Sequence, residues 1–180
     1  MVSDTIQLQS FVTSIFYIGK AKRGRPYQHL YEALHAMDNF TANNSLDSIE
    51  SFKLRTIIEI WRQGLGVISH PVFHNIIPVD AYTREAAMID AIGLANLTNQ
   101  RPGQYYGLAV NWAGSRQRAF GTYLLLQALD VLKADGIRVG LRPADIREAE
   151  ITSPTTRTTP KKATTPKRAI KPARNKINQS

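Results

Sequence analysis

The chain has 180 residues, 43% of them hydrophobic, enough for one core of ordinary domain size with residues left for a tail. It has no cysteine, which excludes disulfides, cysteine-ligated zinc and thiol catalysis and leaves the redox compartment open. No apolar run approaches the ~20 residues that a membrane-crossing helix needs, and Met1–Phe16 lacks a basic start followed by an apolar core, so a soluble protein, nuclear and/or cytoplasmic, is the expectation. The net charge of +9 is concentrated at one end. Residues 151–180 hold eight lysines and arginines and no acid, which leaves residues 1–150 with fifteen basic and fourteen acidic side chains, a balance of +1. Nucleic-acid binding by the folded part therefore has to be argued from local placement rather than from the pI.

In chain order, Ile15, Phe16, Tyr17 and Ile18 are β-branched or aromatic and Gly19 ends the run, which predicts a buried strand entering a turn. A basic loop follows with Lys20, Lys22 and Arg23. Pro26 suits a first helical turn, and Leu30, Leu34 and Met37 then predict a helix from Tyr27 to about Met37. The polar stretch Asp38–Asp47 reads as a loop. Ser48–Gln63 predicts a second helix, with Ile49, Phe52, Ile57, Ile60 and Trp61 inward, Lys53, Arg55, Glu59 and Arg62 on the other faces, and Gly64 as its stop. That helix reads as scaffold, its basic face either solvated or touching DNA.

Leu65–Ser69 and Val72–Val79 predict two short strands around His70-Pro71. Four residues apart on a strand, His70 and His74 would lie ~13 Å from each other, too far to share a metal ion. Asp80 or Thr83 is placed to cap a third helix running to about Gly93. Asn99–Gly107 reads as a polar loop with Arg101, Tyr105 and Tyr106, in which Asn99 can cap its own backbone. Ser115–Ala134 predicts a long helix with a broad apolar face, suited to packing on a sheet or to homodimer formation. From Ile151 on, threonine, proline, lysine and arginine dominate, and Thr158–Ala163 nearly repeats as Thr164–Ala169. Such a segment cannot bury a core. It predicts a disordered tail that binds DNA or import factors.

Two places carry chemistry. Arg25 opens the first predicted helix and His29 follows one turn later, so a guanidinium and an imidazole can converge on Tyr17 beside Lys20 and Lys22. Cationic donors with a proton acceptor suit a phosphodiester. The second place is Glu85, which has Met88, Ile89 and Ile92 at i+3, i+4 and i+7 and so projects from the apolar stripe of its helix. A carboxylate there must be paired, protonated or bound to a cation. Ligation by one carboxylate with waters and phosphate oxygens suits magnesium or manganese; a salt bridge to Arg84, Arg25 or a lysine is the alternative.

These residues resemble the GIY-YIG nuclease family. Tyr17-Ile18-Gly19 stands as the second half of the eponymous motif, and Arg25 and His29 fall at the arginine and histidine/tyrosine positions. Glu85 falls at the metal-binding glutamate, and Asn99 follows at fitting distance. Tyr17–Lys20, His29–Leu34 and Asn99–Gly107 are most similar to the ankyrin-and-LEM-domain endonucleases, and the resemblance runs over residues 11–147. It implies an α/β fold, a small mixed β-sheet flanked by helices, with residues 1–147 as the nuclease domain and 148–180 as the tail. No tyrosine precedes Tyr17, so the family's first strand has no evident counterpart and the domain is expected to be N-terminally incomplete. The implied activity is DNA endonuclease, with branched or flapped DNA in its substrate range and one Mg2+ or Mn2+ on Glu85. Arg25 would stabilise phosphoryl charge, Tyr17 or His29 would help deprotonate water, and Lys20, Lys22, Arg23 and Asn99 would serve the phosphate and the DNA. A DNA-binding or chromatin protein that kept the scaffold and lost turnover is the alternative.

Overall fold

The computed structural model describes residues 4–20, 25–39, 46–136 and 138–152. Its α-helices, in chain order, are α1 (Asp4–Ser14), α2 (Arg25–Asp38), α3 (Phe52–Arg62), α4 (Pro78–Ile92), α5 (Gly114–Asp135) and α6 (Pro143–Thr152). None among the described residues is long and apolar enough to cross a membrane. Lys22, Arg23 and the expected tail beyond Thr152 lie outside the described residues.

The helices follow their local chemistry. In α2, Leu30, Ala33 and Leu34 are buried at helical spacing. In α3 the cap is Ser51, whose Oγ accepts the Leu54 N–H at 3.4 Å, and Gly64 at φ +76° leads the chain out. Trp61 is fixed by its indole N–H, which donates to the Leu141 carbonyl at 2.9 Å. Helix α4 starts at Pro78 rather than at Asp80 or Thr83, because proline at the first turn forfeits no hydrogen bond.

The expected mixed sheet is not there: no strand occurs among the described residues, and the α/β assignment is corrected to a helical domain. Ile15–Ile18 is extended, but its neighbour supplies one backbone hydrogen bond, Thr98 N–H to the Phe16 carbonyl at 2.7 Å, and a side chain completes the pairing. Of Leu65–Ser69, only Val67 pairs, in an isolated antiparallel bridge with Leu141 (2.9 and 2.8 Å). There Gly66 and Gly140 pass so closely that a Cβ on Gly66 would lie 2.2 Å from the Gly140 carbonyl oxygen, so no cross-strand side-chain pair can extend the ladder. Val72–Val79 is broken by Asn75 at φ +57° and then enters α4.

One hydrophobic cluster joins α2, α3, α6 and Val67 around Leu34, Ile57, Ile58 and Ile146. A second gathers Ile18, Ile89 and Leu97. The extended segment serves both, sending Phe16 to the first and Ile15 and Ile18 to the second. It therefore holds α2 and α4 in fixed relation, and the site lies along it.

Candidate active site

Tyr17 emerges from this segment with its ring folded back over Gly19. A Cβ on Gly19 would stand 2.7 Å from the phenolic oxygen, so the glycine gives the phenol room. The His29 ring meets Tyr17 edge-on, centroids 5.6 Å apart at 79°. Arg25 begins α2 four residues before His29; its side chain lies outside the described residues.

Both His29 nitrogens are engaged. Nδ1 is 3.1 Å from Glu32 Oε2, and Nε2 is 2.9 Å from Lys53 Nζ. An ammonium can only donate and a carboxylate can only accept, so these partners assign the proton to Nδ1 and the lone pair to Nε2. The Lys53 ammonium also stands 4.1 Å from the centroid of the Tyr17 ring. Burial holds the Lys53 ammonium below its ordinary pKa, and Glu32 offsets part of that effect. Burial pushes the Tyr17 phenol above its ordinary value, the Glu85 charge adds to this, and Lys20 opposes it.

Glu85 projects from α4 toward the same place, its side chain only 14% exposed. It is ion-paired: Lys20 Nζ lies 2.8 Å from Oε2, and the Lys20 backbone N–H donates to Oε1 at 3.3 Å. Of the salt-bridge partners weighed from the sequence, a lysine is therefore the one in contact. The Lys20 ammonium in turn sits over the Tyr82 ring at 3.8 Å.

Asn99 does not face a ligand with its amide. Its Oδ1 accepts the Ile18 N–H at 3.1 Å and its Nδ2 donates to the Ile18 carbonyl at 2.7 Å, the two bonds that a neighbouring strand would supply. This role differs from a turn residue capping its own backbone. Tyr105 donates to Asp90 at 2.6 Å, and its phenol is pushed far above the ordinary range by burial first and this bond second. Tyr106 packs on Tyr82 with centroids 5.3 Å apart. His70 bonds the Ala128 carbonyl of α5 at 3.1 Å, a structural contact.

Tyr17, Lys20, Lys53, Glu85, Thr98, Asn99 and Arg101 line one cleft of about 400 Å³. Among the described residues, Glu85 is the sole carboxylate on its wall, and no cluster of three or more histidine, cysteine or acidic residues is placed to hold a metal. The donor set still fits a hard divalent cation that keeps waters and takes phosphate oxygens: a paired carboxylate retains free lone pairs, and the buried Thr98 Oγ1 on the same wall has no hydrogen-bond partner.

The sequence reading missed Lys53 and Thr98 as cleft residues. The His29 and Glu32 pairing was legible as an i,i+3 spacing on one helix. Lys53 carried no such signal, because only the packing of α3 on α2 brings it to His29.

Phenol, carboxylate and lysine ammoniums thus share one cleft, with the imidazole of His29 packed behind Tyr17 and Lys53. Residues 2–148 match the LEM-3-like GIY-YIG domain, and the chain belongs to that family of nuclease domains. Among curated relatives, Ankyrin repeat and LEM domain-containing protein 1 of Mus musculus is 45% identical over 140 residues, covering 78% of this chain and 25% of that protein. The Homo sapiens protein of the same name is 42% identical over 143 residues (78% and 22%), and the Caenorhabditis elegans homolog is 36% identical over 137 residues (76% and 19%). The chain spans a quarter or less of the length of these relatives. No solved structure gives a significant match.

Proposed function

We propose that this domain is a DNA endonuclease that hydrolyses phosphodiester bonds with one magnesium or manganese ion, branched or flapped DNA lying within its substrate range. The observation that carries this reading is the convergence of Tyr17, Lys20 and Glu85 on one cleft, with His29 packed against Tyr17 and Lys53 at its edge, in a chain of a nuclease-domain family. Glu85 and the Thr98 hydroxyl are the groups that would hold the cation, which when bound would polarise a phosphoryl oxygen.

The protein's own groups divide the remaining work. Lys20 fixes the Glu85 carboxylate through two contacts and adds positive charge where a phosphate would sit. Tyr17, kept protonated by its surroundings, acts as a hydrogen-bond donor to a phosphate oxygen or to the attacking water. His29 is the better proton acceptor, since Glu32 holds Nδ1 and would stabilise the imidazolium that forms. Arg25, by family resemblance, would meet the charge growing on the phosphoryl oxygens from the start of α2.

The test is cleavage of labelled duplex, nicked, flapped and branched DNA with magnesium or manganese, wild type beside Glu85→Ala and His29→Ala. Cutting by wild type and a loss of about 10²-fold or more in each variant is the expected result. A folded wild type that binds every DNA of the panel and cuts none would return the scaffold-only reading.

A further inference from the structure

We propose that Lys53 is the cleft's exchangeable phosphate ligand: in the free protein its ammonium covers the lone pair of His29 Nε2, and a phosphodiester entering the cleft draws it off and so frees the base. The inference rests on the nuclease reading for its substrate and deepens it by naming a residue and an order of events.

The two cleft lysines are held very differently. Lys20 is bound to Glu85 at 2.8 Å, a charge-assisted contact reinforced by its own backbone N–H. Lys53 touches a neutral imidazole at 2.9 Å and an aromatic face at 4.1 Å, and among the described residues no ion pair joins it to a carboxylate. The charged groups around it are Glu32 of α2, three residues after His29 and bound to the other ring nitrogen, and, lining the same cleft, Arg101 and the Lys20–Glu85 pair.

Its position adds a second argument. Lys53 lies in the first turn of α3, directly after the capping residue Ser51 and Phe52, where the helix dipole disfavours a cation and favours an anion. Ser51 and Lys53 both line the cleft. A half-buried ammonium placed against a dipole and offered only neutral partners is a poor arrangement for stability. It becomes favourable when a phosphate arrives, because an anion adds a direct Coulomb attraction to the ammonium that a neutral acceptor cannot supply.

The consequence concerns His29. While Lys53 donates to Nε2, that nitrogen cannot take a proton from water. Transfer of the ammonium to a phosphate oxygen restores the lone pair, with Nδ1–H still held by Glu32. The base is then exposed in the substrate complex and covered without it.

The experiment uses the full chain and a 20-base-pair oligonucleotide in EDTA, so that binding is read without turnover. The ¹⁵N resonance of His29 Nε2 is followed through its ring protons, and affinity is measured against salt for wild type and Lys53→Met. Expected is a shift of wild-type Nε2 toward an acceptor with no hydrogen bond on adding DNA, the same position in Lys53→Met before DNA is added, and a salt slope lower by about 0.9 in the variant. A wild-type Nε2 signal that saturating DNA does not move, or an unchanged salt slope in folded Lys53→Met, overturns the proposal. With a divalent cation, Lys53→Met should cut about 10²-fold more slowly, and Lys53→Arg, which keeps the charge, should keep the wild-type salt slope. Wild type that shows the Nε2 shift yet cuts nothing leaves this inference standing and refutes the nuclease reading.

Discussion

Tyr17 shows how one side chain's surroundings limit its chemistry. Its phenol is half-buried against Gly19 and His29, with Glu85 near enough to oppose a second negative charge. The folded protein therefore holds the Tyr17 proton above pH 10, the unfolded value, while the unfolded chain has released it. Between those two values the folded state binds more protons, so this group's contribution to stability is present below pH 10 and is lost as pH rises. In the proposed mechanism the phenol is therefore a donor across the physiological range. Tyr17→Phe is expected to slow cleavage about tenfold or more while leaving the pH–rate profile unshifted below pH 10, and an alkaline limb in that range that vanishes in the variant would assign the phenolate instead. Asn99 makes the opposite point, since a residue of a nuclease motif here satisfies the backbone of another, Ile18, on both its polar groups.

At the scale of elements, helix positions follow from periodicity and punctuation, and strand positions do not. Leu30, Ala33 and Leu34 or Ile57, Ile58 and Trp61 bury one face wherever the helix goes. A short apolar run becomes a strand only if a partner arrives in register. Pro71, Asn75 and the facing Gly66 and Gly140 prevent that around Val67. Among the glycines of the described residues, the closest approach is instead between helices, where α4 and α5 meet at Gly121 against Ala87 and Ala91. A Cβ on Gly121 would lie 1.8 Å from the Ala87 carbonyl oxygen, which is backbone and cannot rotate aside. Gly121→Ala should cost about 1–3 kcal/mol, read from a denaturant midpoint, and a variant with unchanged midpoint would show that the two helices separate freely. Because α4 carries Glu85, the same substitution should also lower activity.

For the whole molecule, two hydrophobic clusters meet along the extended segment that bears Tyr17, and the cleft opens beside it. Charge is divided differently from structure. The described domain is close to neutral, while residues 151–180 carry eight of the basic side chains. The domain is thus expected to position a phosphate and the tail to supply general attraction to DNA, with import factors as the tail's other proposed partner. Helix α6 runs to Thr152, into the segment expected to be tail from residue 148. A chain ending at Thr152 should bind DNA with a salt slope shallower by up to about 7, if all eight charges release counterions, and should cut at an unchanged rate once saturated. An unchanged slope would place the DNA contacts in the domain alone.

Sequence by itself determined the family, the four helices α2 to α5 and the chemistry on offer, whereas α1 and α6 carried no such signal. Tyr17-Ile18-Gly19, the His29 helix and Glu85 on an apolar stripe are local patterns, and local patterns survive without knowledge of the fold. Only the tertiary structure decided who partners whom. The pairing of Lys20 with Glu85 spans 65 positions and that of Asn99 with Ile18 spans 81, and neither spacing is periodic. Lys53 reaches His29 because α3 packs on α2, not because of anything in its own neighbourhood. The expected sheet failed for the same reason, since a strand is defined by its neighbour and the sequence of one strand does not contain it.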